Sequence, residues 1–225
     1  MTEASLKQSV ITTYRKRAGR YDFTSSLYHL IGFRIGAYRR QAVSALNLQR
    51  GDTVVEIGCG TGLNFPLLQQ AVGPSGKVIG VDMTDAMLNQ ARQRVEDNGW
   101  TNVELVQGDA VAYSFPAGVD GILSTFALSL APELDTIIHN GCVALAPGKR
   151  WVILDLKVPS FWTPWLTTLL LPIVRPFAVT EELIDQRPWD VIRKVMERYL
   201  TNTSWRELYL GFGFIAAGER SEAGC

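Results

Sequence analysis

The sequence predicts an α/β protein with one doubly wound, mostly parallel sheet of seven strands, an antiparallel C-terminal hairpin and an N-terminal helical cap. Three observations carry that prediction. Between residues 51 and 156, short β-branched runs alternate with amphipathic helical stretches, the pattern of βα units and a Rossmann-like sheet. A turn with glycines at 58, 60 and 62 joins the first of these runs to a helix. Near the chain's end, two extended runs stand with almost nothing between them, which suits a hairpin.

Each element has its own local reason. Ser5–Arg17 and Arg34–Leu46 read as helices; in the second, Tyr38, Ala42, Val43 and Leu46 form an apolar stripe and Arg39 and Arg40 fall off it. The β-branched run Thr53–Ile57 is the first predicted strand, and the helix Asn64–Val72 ends at Gly73 and Pro74. Lys77–Asp82 is the second strand. Its helix carries Met87, Leu88, Ala91 and Val95 on one face and stops before Gly99. Val103–Val106 and Val119–Leu123 are strands three and four, with a helix over Leu134–Ala146 after them. Trp151–Leu156 is nearly all apolar, as a strand covered on both faces requires. Ser204–Leu210 and Gly211–Ala217 form the hairpin.

With 225 residues, 47% of them hydrophobic, and no repeat or long linker, the chain reads as a single domain. Its expected parts are a cap over residues 1–50, a core over 51–157, an apolar insert or lid over 158–200, and the hairpin and tail over 201–225. Formal net charge is zero, which argues against a general nucleic-acid binder. That average hides an asymmetry. The first 50 residues carry nine basic and two acidic groups, and the other 175 carry 13 basic and 20 acidic. Cys59, Cys142 and Cys225 are too few and too scattered for a disulfide framework, and no spacing suggests a metal site. No secretory signal pattern opens the chain, so the expected location is cytoplasmic. Val158 to Val174 is uncharged for 17 residues but contains three prolines. A spanning helix needs about 20 apolar residues and an unbroken backbone ladder. The segment is therefore expected to touch a membrane rather than cross it.

The chemistry centres on Val54-Val55-Glu56-Ile57-Gly58-Cys59-Gly60-Thr61-Gly62. Glycines here let the backbone turn sharply and approach a ligand with no side chain between. A phosphate-gripping P-loop would end in Gly-Lys-Ser/Thr, and no lysine occurs between Arg50 and Lys77. A dinucleotide fingerprint would have a glycine at 63, where the chain has Leu63. The second strand ends in Val81-Asp82-Met83, with Asp82 twenty residues past Gly62. An acid at that distance can accept hydrogen bonds from both ribose hydroxyls. The competing reading makes Asp82 the cap of the next helix, a role that Thr84 or Asp85 also suits.

Glu56-x-Gly58-x-Gly60-x-Gly62 resembles the first motif of class I methyltransferases that use S-adenosylmethionine, and Thr53 to Leu156 resembles that family's core. The resemblance implies that the loop packs on the cofactor's amino-acid end, with Glu56 helping to orient it. Gln107-Gly108-Asp109-Ala110 is similar to the family's adenine-binding turn, which implies an acceptor role for Asp109 beside Ala110; an ordinary turn residue is the alternative. In open α/β sheets the ligand crevice lies off the carboxyl ends of the central strands. Thr125 and Phe126 are thus the expected neighbours of cofactor or substrate, unless Phe126 and Leu128 only plug the core.

Methyl transfer is an in-line displacement that needs positioning and desolvation more than a dedicated base. His139 reads as a surface residue, and His29 sits near the cap. Arg20-Tyr21-Asp22 resembles the opening of ubiquinone/menaquinone C-methyltransferases and of bacterial phosphatidylethanolamine N-methyltransferases. That resemblance implies a tyrosine closing over the reacting groups, with Tyr14, Tyr21 and Tyr28 as candidates. The aromatic tail over residues 205–219 looks more like the phospholipid group. The leading expectation is therefore methylation of a phosphatidylethanolamine-type amine, with Arg17, Arg20 or Arg39 holding the lipid phosphate. A quinone precursor is the runner-up and a soluble small molecule third. Trp162 and Trp165 in the apolar insert, with a basic cap, add an expectation of peripheral contact with anionic lipid on the inner face of the membrane. No metal and no nucleic acid are expected.

Overall fold

The computed structural model describes residues 3–22, 32–159 and 185–225. Seven strands, β1 (Thr53–Ile57), β2 (Lys77–Asp82), β3 (Val103–Gln107), β4 (Val119–Thr125), β5 (Leu145–Leu156), β6 (Thr201–Leu208) and β7 (Gly213–Glu219), form one sheet in the order β3-β2-β1-β4-β5-β7-β6. Strands β1 to β5 pair in parallel, and β7 pairs antiparallel with both β5 and β6. Chain order reverses at β1, whose neighbours are β2 and β4. A crevice opens at such a point, off the carboxyl ends of the two strands.

Both faces of the sheet are covered. One carries α2 (Ile35–Ala45), α3 (Phe65–Val72) and α4 (Asp85–Asp97), which bury Ala42, Val43, Phe65, Leu68, Leu88 and Ala91 against Val54, Val78, Leu123 and Val152. The other carries α5 (Leu134–Ala144) and α6 (Pro188–Tyr199), with Ile137, Ile138, Trp189, Ile192 and Met196 packed on Val55, Ile79, Ile122 and Ile153. Helix α1 (Glu3–Arg17) runs into a short 3-10 turn at Ala18–Arg20 and lies against α4.

Several expectations shift. Strand β5 starts six residues before Trp151, because Pro147 and a left-handed Gly148 bulge the chain between two stretches that both pair with β4. Within 158–200, residues 188–199 are the core helix α6. Its stripe Trp189, Ile192, Met196 and Tyr199 has helical spacing. Residues 160–184, including Trp162 and Trp165, lie outside the described residues. The hairpin ends sooner than read: Tyr209–Gly211 is a 3-10 turn with Tyr209 and Leu210 at positive φ, so β6 stops at Leu208. Arg39 is no surface group. It is 7% exposed and shares the buried face of α2 with Ile35, Ala42 and Val43. Cys142 and Cys225 form a disulfide with Cα atoms 6.2 Å apart, a pairing made by the three-dimensional return of the tail to α5 and invisible in spacing. Cys59 is free and buried. Among the described residues, no helix is long and apolar enough to cross a membrane.

Candidate active site

The glycine turn after β1 is tied to the end of β2. The N–H groups of Gly58 and Cys59 donate to the Val81 carbonyl at 2.8 and 3.0 Å. Asp82 then grips the turn: its Oδ2 accepts from Gly60 N–H at 2.8 Å and its Oδ1 from Thr84 N–H at 2.8 Å. Asp82 thus steadies the glycine turn and the residue that leads into α4, whose N-cap position is Thr84 rather than Asp82. Burial pushes its carboxyl above the usual range, and these two backbone donors oppose the shift.

The turn leaves room where a ligand would approach. A Cβ on Gly60 would meet nothing within 4 Å, whereas one on Gly58 would come within 2.3 Å of the Ala127 Cβ. Gly58 therefore lets the loop after β4 close down, and Gly60 leaves open space. A cleft open to solvent lies beside this turn, off the carboxyl ends of the strands.

Most of the expected residues meet on its walls. Gly58, Gly60, Asp82, Met83, Asp109, Ala110, Thr125 and Phe126 line the cleft, and Tyr14 and Tyr21 line it from the cap. Glu56 and Gly62 stand behind the wall. Glu56 is 1% exposed and accepts from the Asn64 side-chain amide, while its Oε2 has no partner. Burial pushes its carboxyl up to about 7, against the pull of the Asn64 amide and the Arg39 guanidinium. Tyr28 and His29 lie outside the described residues, as do the side chains of Arg17 and Arg20. His139 sits elsewhere, its ring 4.9 Å from Tyr199 on α6.

At one end, Asp109 is bound by Lys7 of α1 at 2.8 Å, and Lys7 also reaches Glu133 at 2.9 Å. Burial favours the acid form of Asp109, yet Lys7 and the Val111 N–H outweigh it and hold the carboxyl below its ordinary range. The cap is pinned further along by Arg15 on Asp85 at 3.0 Å and by Asp22, which accepts from Thr61 Oγ1 at 2.6 Å and pairs with Arg94. At the other end, Thr125 Oγ1 accepts from Arg39 and from Asn64, each at 2.8 Å. The Arg39 guanidinium lies 5.3 Å from the centre of the Phe126 ring. The ring of Tyr21 stands 6.0 Å from that of Tyr14, and burial raises its hydroxyl pKa so that it stays protonated at neutral pH.

One group beside the site escaped the sequence, and another stands in surroundings the sequence did not show. Arg39, a candidate for a lipid phosphate, is buried, and only its helical spacing with Ile35, Ala42 and Val43 signals that. Asp155, a lone acid near the end of apolar β5, is 4% exposed and accepts from Ser129 N–H at 2.9 Å and from Leu156 N–H at 2.8 Å, tying the loop after β4 to β5. Burial pushes it up to about 6.

An open α/β sheet with a glycine turn at its switch point, and acids at the ends of the next two strands, defines a nucleoside-binding enzyme site. A family model described as "Methyltransferase domain" matches residues 54–148. Demethylmenaquinone methyltransferase of Anoxybacillus flavithermus is 30% identical over 160 residues, 70% of this chain and 66% of that protein. The Symbiobacterium thermophilum protein of the same name is 28% identical over 189 residues, 79% of this chain and 74% of that one. This chain spans about two thirds of the length of such relatives. A SAM-dependent methyltransferase from Aquifex aeolicus superposes with a TM-score of 0.59 at 23% identity, covering 81% of this chain and 89% of that one. The geranyl diphosphate C-methyltransferase of Streptomyces coelicolor, in complex with S-adenosyl-L-homocysteine, gives 0.65 at 15% identity over 82% and 79%. The chain belongs to the class I S-adenosylmethionine-dependent methyltransferases.

The residues fit that cofactor. Gly60 leaves open space on the wall where Asp82 and Asp109 offer acceptors for a nucleoside, and Arg39 offers a cation at the opposite end.

Proposed function

We propose that the protein methylates a ring carbon of a quinol-type acceptor. The observation that carries this reading is the make-up of one end of the cleft, where Phe126 and Tyr21 lie near the buried guanidinium of Arg39 and Tyr14 stands beside Tyr21. Flat rings suit a flat aromatic acceptor. An amine gaining positive charge during transfer would instead be set against a buried cation. The relatives named demethylmenaquinone methyltransferase support the same substrate class.

Bound S-adenosylmethionine supplies a methyl carbon activated by its sulfonium. Ring methylation replaces a C–H by a C–CH3: a π pair of the ring forms the new bond, the C–S pair stays on sulfur, and the C–H pair restores the ring as its proton passes to solvent. Tyr21, kept protonated by burial, offers its O–H to a ring oxygen, and Tyr14 and Phe126 exclude water. Peripheral contact with the inner face of the membrane belongs to this reading, because an acceptor with an apolar chain resides in lipid; the Val158–Val174 segment is the proposed contact.

Methylation of a phosphatidylethanolamine-type amine is the second reading. Exposed Arg34 and Arg40 on the cap favour it, as they suit an anionic headgroup. Against it, Lys7 and Arg15 are committed to acids of the core, and Arg39 is buried. A test supplies methyl-labelled cofactor with a reduced, demethylated quinone in detergent, and separately with phosphatidylethanolamine vesicles. Label in the quinol supports the proposal. Label confined to methylated phosphatidylethanolamine moves the assignment to the second reading, and label in neither rejects both.

A further inference from the structure

Asp155 stands where the pattern of β5 calls for an apolar residue. It is 4% exposed and follows Trp151, Val152, Ile153 and Leu154, all of them fully buried. A buried carboxylate is costly unless hydrogen bonds or an opposite charge offset it. Among the described residues, no cation pairs with Asp155. Its compensation comes from the backbone, with Oδ2 accepting from Ser129 N–H at 2.9 Å and Oδ1 from Leu156 N–H at 2.8 Å. Burial raises its carboxyl only to about 6, so it is ionised at neutral pH, and N–H bonds to a carboxylate are the stronger kind.

The segment it holds is the loop after β4. Residues 125–132 line the cleft except for Ser129, whose backbone is turned to Asp155. Leu128–Leu130 is a 3-10 turn whose N-cap residue, Ala127, supplies no side-chain bond, so its first N–H groups lack partners of their own. Asp155 caps the turn from the neighbouring strand. Just before the turn, Phe126 has a φ of +55°, a left-handed conformation that bulky residues rarely adopt. Such a conformation persists only where the surroundings over-determine it. Here β5 ties the chain on both sides: Phe126 N–H donates to the Leu154 carbonyl at 2.8 Å, and Ser129 N–H donates to Asp155.

We propose that Asp155 is a positioning residue for methyl transfer: by clamping Ser129 it holds Phe126 in its left-handed conformation on the cleft wall, and so sets how the acceptor lies against the cofactor. Asp155 itself stands behind that wall and touches neither. The proposal rests on the cleft being the methyl-transfer site. The alternative is a tie that only stabilises the fold, with no particular bearing on Phe126.

Steady-state kinetics with S-adenosylmethionine and the reduced, demethylated quinone separate these, in wild type, Asp155→Asn, Phe126→Gly and the double variant. Affinity for S-adenosylhomocysteine is measured beside them by calorimetry. Asparagine keeps the shape of the side chain but turns an NH2 donor toward an N–H group that needs an acceptor. Glycine takes a positive φ without strain and has no ring to hold. Asp155→Asn is expected to lower kcat/KM for the acceptor about tenfold, since a small misplacement suffices, while S-adenosylhomocysteine affinity stays within about threefold of wild type. In the Phe126→Gly background the same substitution should change kcat/KM by less than about twofold, the non-additivity of two residues that act as a unit. Equal factors in both backgrounds, unchanged acceptor kinetics, or a parallel loss of S-adenosylhomocysteine affinity overturns the proposal. Should Asp155→Asn fail to fold, Asp155→Glu carries the test, since it keeps the charge and displaces the carboxylate by one methylene. If wild type methylates phosphatidylethanolamine instead of the quinol, the same proteins are compared on that acceptor. Wild type that methylates neither refutes the reading of the cleft and the proposal with it, whereas active wild type with additive variants refutes the role of Asp155 alone.

Discussion

At the nucleoside end of the cleft, Gly58, Gly60, Asp82 and Asp109 all sit at strand ends of the core, and backbone hydrogen bonds such as Gly58 N to Val81 O hold them. At the end marked by Arg39, that residue, Tyr21 and the neighbouring Tyr14 come from chain outside the sheet. That end is fixed by side chains bridging long stretches of chain, as when Asp22 meets Thr61 or Arg39 meets Thr125. Strand ends are placed by the sheet's own register, so they tolerate loss of any one side-chain contact. A cap held by side-chain contacts is tuned contact by contact. The first end is thus set by the backbone of the sheet, and the second by individual side chains of the cap.

Four substitutions sharpen or break that contrast. The largest effect is expected from Gly58→Ala, because the new Cβ would lie 2.3 Å from the Ala127 Cβ at a backbone φ of +68°. Strain and overpacking together should cost about 2–4 kcal/mol in unfolding free energy and remove measurable cofactor binding. Wild-type affinity in this variant would show that the backbone does not set the nucleoside end.

Next comes Glu56. Its carboxyl is raised from 4.5 to about 7 in the folded protein, so between those values the native state keeps a proton that the unfolded chain releases. Stability contributed at low pH is therefore lost as pH rises through that window, by an amount on the order of 3 kcal/mol. Asp155, raised from 3.8 to about 6, adds a similar slope at lower pH. Denaturant melts of the cofactor-free protein should find Glu56→Gln more stable than wild type at pH 8 and flatter between pH 5 and 7. An unchanged slope would place the titration elsewhere.

Asp82→Ala removes the acceptor of two backbone N–H groups. Hydrogen bonds to a charged group are worth ~1.5–3 kcal/mol, so calorimetry should read roughly a 10- to 100-fold weaker cofactor. A change under threefold would mean that Asp82 serves only the helix entry. The smallest effect is expected from Lys7→Ala. Its pairs with Asp109 and Glu133 are partly exposed, with side-chain exposures of 24% to 33%, and should contribute ~1 kcal/mol or less. Limited proteolysis within residues 3–22 should nonetheless quicken; unchanged digestion would mean that the cap does not depend on its ion pairs.

The same contrast explains what could be read in advance. Periodicity located β1 to β4 within about two residues, since each carries β-branched residues between turn signals, and the 58-60-62 glycine spacing with Asp82 located one wall of the cleft. Arg39 was misplaced because an arginine on a helix reads as solvated, and only the packing of α2 on β4 shows its face to be buried. The commitment of Lys7 and Arg15 to Asp109 and Asp85 could not be seen either, so the basic head looked like a surface for lipid when part of it is spent on the protein's own acids. The Cys142–Cys225 bond and the stripe of α6 were missed for related reasons: the first is a contact between residues 83 apart, and the second lay inside a stretch read as a lid.

Strand β7 carries a further consequence. It follows the other six described strands in the chain, yet it lies between β5 and β6, with Phe214, Ile215 and Ala216 buried. While the chain is still growing from its N-terminus, the side of β5 that β7 will cover stays an open edge lined by some of the most apolar backbone in the molecule. Such an edge invites pairing with another nascent chain. The protein's solubility during synthesis should thus depend on how quickly Gly213–Glu219 is delivered, and a slow stretch of translation after residue 156 should lower its yield even though every native contact is unchanged.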